Sequence, residues 1–174
     1  MTPPVHEYSA PWGTALKTMS GLFTLLLLGI AWLGIRTEAD MGAIWYASMV
    51  GMPLLLLAIG LNYTVLGYRL TPDRLRVRRL GWFSECNLDG LEAVAADSGA
   101  MVGSRRVLAN GGLFSFSGRF RNKHLGIYRA LATDPDRAVI LRWSDRTLVI
   151  TPDDPERFVR QLCELRGLEV QRPE

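Results

Sequence analysis

Thr18-Met-Ser-Gly-Leu-Phe-Thr-Leu-Leu-Leu-Leu-Gly-Ile-Ala-Trp-Leu-Gly-Ile35 is the first of two stretches that decide the architecture. The second follows a short polar break and reads Gly42-Ala-Ile-Trp-Tyr-Ala-Ser-Met-Val-Gly-Met-Pro-Leu-Leu-Leu-Leu-Ala-Ile-Gly-Leu61. Neither contains an Asp, Glu, Lys or Arg. A bilayer core about 30 Å thick needs about 20 apolar residues in a helix to cross it, and both stretches have that length. A soluble helix carries a polar stripe, which these lack, so a buried hairpin in a soluble core is the weaker reading. A cleaved leader, with Thr37-Glu-Ala39 imitating its cleavage site, would still leave the second stretch as an anchor. The sequence thus predicts a two-span membrane hairpin over 18–66, a tail over 1–17, a folded domain over 67–168 and a frayed tail over 169–174.

Charge orients the hairpin. Of 20 Lys and Arg residues in the 174-residue chain, only Lys17 and Arg36 precede Arg69. The segment after the second stretch carries Arg69, Arg74, Arg76, Arg78 and Arg79. By the positive-inside bias that flank stays in the cytoplasm, which predicts a multi-pass membrane protein with both termini cytoplasmic. Trp32 with Trp45-Tyr46 would mark one interface, and Trp12, Tyr63 and Tyr68 the other. Ala43, Ala47 and Gly51 recur at four-residue spacing, a stripe that lets helices approach closely. It faces either the first helix of the same chain or another membrane subunit. Pro53 should kink or loosen its helix.

Beyond Leu66 the pattern is that of strands. Arg74, Arg76 and Arg78 alternate with Leu75 and Val77 at period two, and Phe114, Phe116 and Phe120 fall at even offsets. About seven short strands, separated by Gly, Pro, Asp and Asn, suggest a sandwich or barrel. Asp153-Asp-Pro-Glu156 opens a helix with a cap and acids in the first turn. Phe158, Leu162 and Leu165 give it an apolar face, and Arg166-Gly167 closes it.

A small antiparallel barrel followed by one amphipathic helix is a pleckstrin-homology (PH) architecture, and particular residues sharpen that. Tyr68-x-Leu70-Thr-Pro-Asp, Asn110-Gly-Gly-Leu-Phe114, Gly118-Arg-Phe120, Leu125-Gly126, Ala132-Thr-Asp134, Val149-Ile-Thr-Pro152 and Pro155-Glu-Arg-Phe158 occur in order. Together they resemble the bacterial PH domain family over about Tyr68 to Leu165. The resemblance implies a PH-like fold and membrane attachment, with no reaction or ligand to carry onto a residue. The fold class expected is therefore α+β, mainly β: two transmembrane helices, a PH-like antiparallel barrel or sandwich, and a C-terminal amphipathic helix.

Chemistry is sparse. Cys86 and Cys163 lie far apart, so neither a disulfide framework nor a zinc site is expected. His6 and His124 are isolated, Ser115 and Ser117 sit on no nucleophile elbow, and Asp134 and Asp136 flank a turn proline. Neither a cofactor nor an enzyme activity is predicted. Asn110-Gly111-Gly112 reads as a turn whose free N–H groups could hold an anion, and without a following Gly-Lys-Ser/Thr it is no P-loop. Two basic rows, Arg74, Arg76, Arg78 and Arg119, Arg121, Lys123, are candidate contacts for anionic headgroups. Phe120 within the second row suggests a nucleic-acid surface, a reading set aside beside a membrane. The partners expected are the bilayer and a protein in a membrane complex. The leading function is a non-catalytic accessory or scaffolding module, and the alternative is an anionic-lipid sensor.

Overall fold

The computed structural model describes residues 5–37, 42–111 and 113–168. The tip of the predicted helical hairpin (38–41), Gly112 of the Asn-Gly-Gly segment and the 169–174 tail lie outside the described residues.

Strand β1 (His6–Ser9) comes first, then helix α1 (Thr14–Arg36) and helix α2 (Gly42–Asn62). Both helices are long and apolar enough to cross a membrane, and about four-fifths of each apolar window is not covered by protein. That exposure argues against a buried soluble core, where such side chains would be hidden. They meet through a glycine: a Cβ on Gly34 would lie 2.6 Å from Met49 Cβ. The Trp45 indole donates to the Gly34 carbonyl at 3.2 Å. Within α2 one π turn, Ala47–Gly51, precedes Pro53. Pro53 has no N–H for the Met49 carbonyl, and a widened turn accommodates the missing bond. The loosening expected at Pro53 takes this form.

The sheets follow: β2 (Gly67–Leu70), β3 (Arg74–Arg78), β4 (Phe83–Asn87), β5 (Leu91–Ala96), β6 (Arg105–Gly111), β7 (Phe116–Asn122), β8 (Gly126–Ala132), β9 (Val139–Trp143) and β10 (Thr147–Ile150). Helix α3 (Pro155–Arg166) ends the described fold. One sheet has the order β1-β2-β3-β4 and the other β5-β9-β10-β8-β7-β6. The fold departs from the expected antiparallel barrel in two respects. Among the described residues the sheets form two layers, not a closed barrel, and the pairing is not antiparallel throughout. Strand β10 pairs parallel with β8, Val149 opposite Ala130, because β9 returns the chain antiparallel along β10's other edge.

The segment before α1, expected to be a tail, contributes an edge strand. Glu7 pairs with Arg69 and Tyr8 with Tyr68. Four residues with one inward ring are too few to show a period. Tyr8 meets Phe158 of α3 edge to face at 5.0 Å. With Leu75, Val77, Leu141 and Leu162, these rings fill the space between sheets and helix. Tyr68 belongs to this core at 2% exposure, not to a headgroup belt. As its pattern predicted, α3 buries Phe158, Val159, Leu162 and Cys163. Within the predicted capping segment Asp154 caps it by accepting from the Arg157 N–H at 2.9 Å, and Gly167 closes it at φ 65°.

Candidate functional site: the junction of sheets and helical hairpin

Strand β2 leaves the end of α2, and β3 returns antiparallel beside it. The β3–β4 turn therefore comes back to the helix end. Strand β1 runs in the same direction into α1, and β6 and β7 meet beside the hairpin as well. Three pieces of chain thus converge on the ends of α1 and α2.

The first grip is on the last turn of α2. Arg79 is 4% exposed. Its guanidinium donates to the Tyr63 carbonyl, to Ser84 Oγ at 3.0 Å and, weakly, to Ser117 Oγ at 3.5 Å. It lies 4.8 Å from the Trp82 ring centre and 5.7 Å from that of Tyr63. Burial lowers its pKa from the usual arginine value, with Arg129 adding to the effect. A cation here faces the unsatisfied carbonyls and negative dipole end of α2. Trp82 Nε1 donates to the Asn62 carbonyl at 3.1 Å, and Ser115 Oγ to the Tyr63 carbonyl at 3.0 Å.

The second grip is Phe114. Its φ of 62° is left-handed, rare for a side chain of that bulk. Two contacts hold it there. Its N–H donates to Ser20 Oγ of α1 at 2.9 Å, and its ring covers Gly60 of α2 so closely that a Cβ there would come within 2.8 Å. Trp12 packs on the ring from the side, centroids 6.0 Å apart.

A buried hydroxyl network is the third grip. The Tyr68 hydroxyl donates to the Leu131 carbonyl at 2.7 Å and accepts from the Thr151 N–H at 3.1 Å. Thr151 Oγ1 accepts from the Thr133 N–H at 2.8 Å, and Thr133 Oγ1 reaches the Pro11 carbonyl at 2.8 Å. The Gly13 N–H then donates to the Thr133 carbonyl at 3.1 Å, one residue before α1 begins. Burial, ahead of any other influence, pushes the Tyr68 phenol up to about 12. Several residues that carried the family resemblance, Tyr68, Thr133 and Thr151, meet in this network.

The predicted site residues are distributed as follows. Arg74 and Arg76 both pair with Glu85, at 2.9 and 2.8 Å, while Arg78 is exposed. Arg119 and Arg121 are exposed on β7, in the other sheet, opposite Arg129 and Arg105. Lys123 lies in the β7–β8 turn. The two rows are thus separate, and each runs along its strand. At about 3.3 Å per residue, Arg76 and Arg74 stand roughly 7 and 13 Å further along β3 from the helix end than Arg78. Phe120 turns inward and stacks on Tyr128, centroids 6.0 Å apart, so it offers no platform for a base. Ala43, Ala47 and Gly51 are all exposed.

Arg79 was missed as a site residue, although the sequence holds its signal. In the alternation of β3 the odd positions Leu75 and Val77 point inward, and Arg79 continues that parity. Among the described residues no group of His, Cys, Asp and Glu side chains could hold a metal ion. Burial raises the pKa of both thiols, Cys86 and Cys163, which works against a reactive thiolate.

Residues 66–165 match the family model described as bacterial PH domain. No curated protein matches the chain.

Proposed function

We propose that this chain, which belongs to the bacterial PH domain family, is a membrane-anchored, non-catalytic binding module that engages a protein partner as an accessory subunit of a complex in the bacterial inner membrane. α1 and α2 cross the bilayer. The sheets stand on the side where both helices meet them, and the arginine-rich flank puts that side in the cytoplasm. Pairing of β1 with β2 requires the segments before α1 and after α2 to share one side of the membrane.

The observation that carries the partner reading is the use of helix faces. The two helices pack through Gly34 against Met49 and Val50, while the small-residue stripe Ala43, Ala47, Gly51 stays exposed. A groove lined by Leu28, Gly29, Trp32, Val50 and Leu54 runs between the helices, with a volume of about 560 Å³. Helices in lipid associate through close packing of this kind. The alternative reading through arginine rows draws less support, since Glu85 neutralises part of the first row.

A pair of substitutions tests the reading. Ala47→Leu should remove a stoichiometric partner that co-purifies in mild detergent from the host membrane, with the protein's own level unchanged. Gly34→Ala should instead destabilise the hairpin itself. A wild-type protein that runs as a lone monomer, with no companion, refutes the accessory role.

A further inference from the structure

The β3–β4 tip carries an exposed apolar group at one level. Leu80 is 62% exposed, Phe83 51% and Trp82 38%. The level is fixed by contact with the last residue of α2: the Trp82 indole bonds the Asn62 carbonyl at 3.1 Å, and a Cβ on Gly81 would lie 3.8 Å from Asn62 Oδ1. α2 has 21 residues, about 31 Å at 1.5 Å per residue, which matches the hydrocarbon core. Asn62 then lies at its boundary, and the tip with it. The two-residue turn is closed by the Arg79 N–H on the Trp82 carbonyl at 3.0 Å, so Leu80 and Gly81 stand at its apex.

We infer that Leu80, Trp82 and Phe83 are seated in the interfacial layer of the bilayer and fix the PH-like domain upright on the membrane, resting on the reading of α1 and α2 as membrane spans. The occupant of this surface is phospholipid. A part-exposed indole with its N–H satisfied suits the headgroup–acyl boundary. Tyr63, 44% exposed, stands edge to face with Trp82 and extends the same belt. The apolar patch is continuous with the bare surface of α2, and Arg78 beside it is placed to meet phosphate. The far ends of the strands, with the β7–β8 turn, stand clear of the bilayer.

The full-length protein, reconstituted in phosphatidylethanolamine–phosphatidylglycerol vesicles, tests this. On a Cys86→Ser, Cys163→Ala background, single cysteines replace Leu80, Leu55 in the middle of α2, and His124 in the β7–β8 turn. Each carries an environment-sensitive dye. Dyes at positions 80 and 55 should shift to the blue and be quenched by nitroxide lipids, shallow and deep labels respectively, whereas the dye at 124 should behave as in water. Blue-shifted 55 with water-exposed 80 overturns the seat and leaves the spans intact. Water-exposed 55 overturns the spans and the seat with them. Quenching at 124 equal to that at 80 overturns the upright stance. A second measurement keeps the native cysteines: the emission lost on Trp82→Phe should be the part that shallow nitroxide lipids quench, and an unquenchable difference spectrum overturns the seat.

Discussion

Replacing Arg79 removes the only guanidinium that the described residues place at 4% exposure, and the expected cost can be worked out contact by contact. Its bond to Ser84 Oγ at 3.0 Å and its bond to the Tyr63 carbonyl are the two substantial ones. Hydrogen bonds to a charged group contribute about 1.5–3 kcal/mol each. Stacking over Trp82 adds about 1 kcal/mol, and the favourable position at a helix C-terminus adds up to about 1 kcal/mol. The gross loss is thus about 4–8 kcal/mol. Against this, Arg79→Met spares the fold the desolvation of an ion, which is several kcal/mol. The groups left behind are also largely satisfied. The Tyr63 carbonyl keeps Ser115 Oγ at 3.0 Å, and Ser117 keeps Ser115 at 2.9 Å. A net destabilisation of about 2 kcal/mol follows, or a fall in Tm of about 4–8 °C for a chain of this size. Arg79→Lys sharpens the test. It keeps a buried charge that is more strongly hydrated and lacks the planar fork, so it should destabilise at least as much as the methionine. Thermal unfolding in mild detergent, followed by ellipticity, gives both values. Two variants as stable as wild type would refute the idea that the guanidinium holds the end of α2 to the sheets.

Two further changes probe the junction. Tyr68→Phe strips the hydroxyl from the Leu131 carbonyl and the Thr151 N–H, and denaturant unfolding should show a loss of about 1–3 kcal/mol. In wild type the phenol goes from 10.0 in the unfolded chain to about 12 in the fold, so the fold favours its neutral form. The stability tied to it is complete below pH 10 and is lost as pH climbs to about 12, up to about 3 kcal/mol. The difference between wild type and Tyr68→Phe should therefore shrink across that window, and a constant difference counts against the buried neutral phenol. Thr64 Oγ1 is buried without a hydrogen-bond partner among the described residues. Thr64→Val should raise stability by about 1 kcal/mol, measured by the same unfolding experiment, and a lower Tm would mean that the hydroxyl has a role.

What could be read from the sequence follows the range of the interactions involved. Both long helices were legible because an uncharged apolar run of 18 or more residues marks a continuous helix long enough to cross a bilayer. α3 was legible because its cap, apolar face and terminal glycine are all local. The strands of the second sheet announced themselves individually, but their order did not. Nothing near Val149 says that it lies opposite Ala130 in a parallel pair, because that pairing is set by how β9 turns back. The arginine rows illustrate a different limit. Period two correctly placed Arg74, Arg76 and Arg78 on one face, yet the neutralising Glu85 comes from the next strand, in a register that no local pattern encodes. Arg79 was within reach of the same parity argument, and its burial makes sense only once the end of α2 is known to lie beside it.

The order of elements leaves short, well-contacted connectors at the junction. In the four-stranded sheet β1 and β2 are adjacent and antiparallel, a relation that a two-residue turn ordinarily supplies. Here the connection is the whole helical hairpin, α1 and α2. Only residues 10–13 separate β1 from α1, and only 63–66 separate α2 from β2. Both connectors are fixed along their length, the first by Thr133 and Phe114 and the second by Arg79 and Ser115. Adjacent strands stand about 4.8 Å apart, so the helix ends are held at a separation that the sheet sets. A displacement of α2 by a helix packed on the Ala43, Ala47, Gly51 face therefore has no flexible linker in which to dissipate. It must move β2 relative to β1, or break the contacts at Gly60 and Asn62. On the proposed reading of α1 and α2 as membrane spans, this construction would pass a displacement of the helices on to β1 and β2, which a PH-like domain on a loose tether would not do.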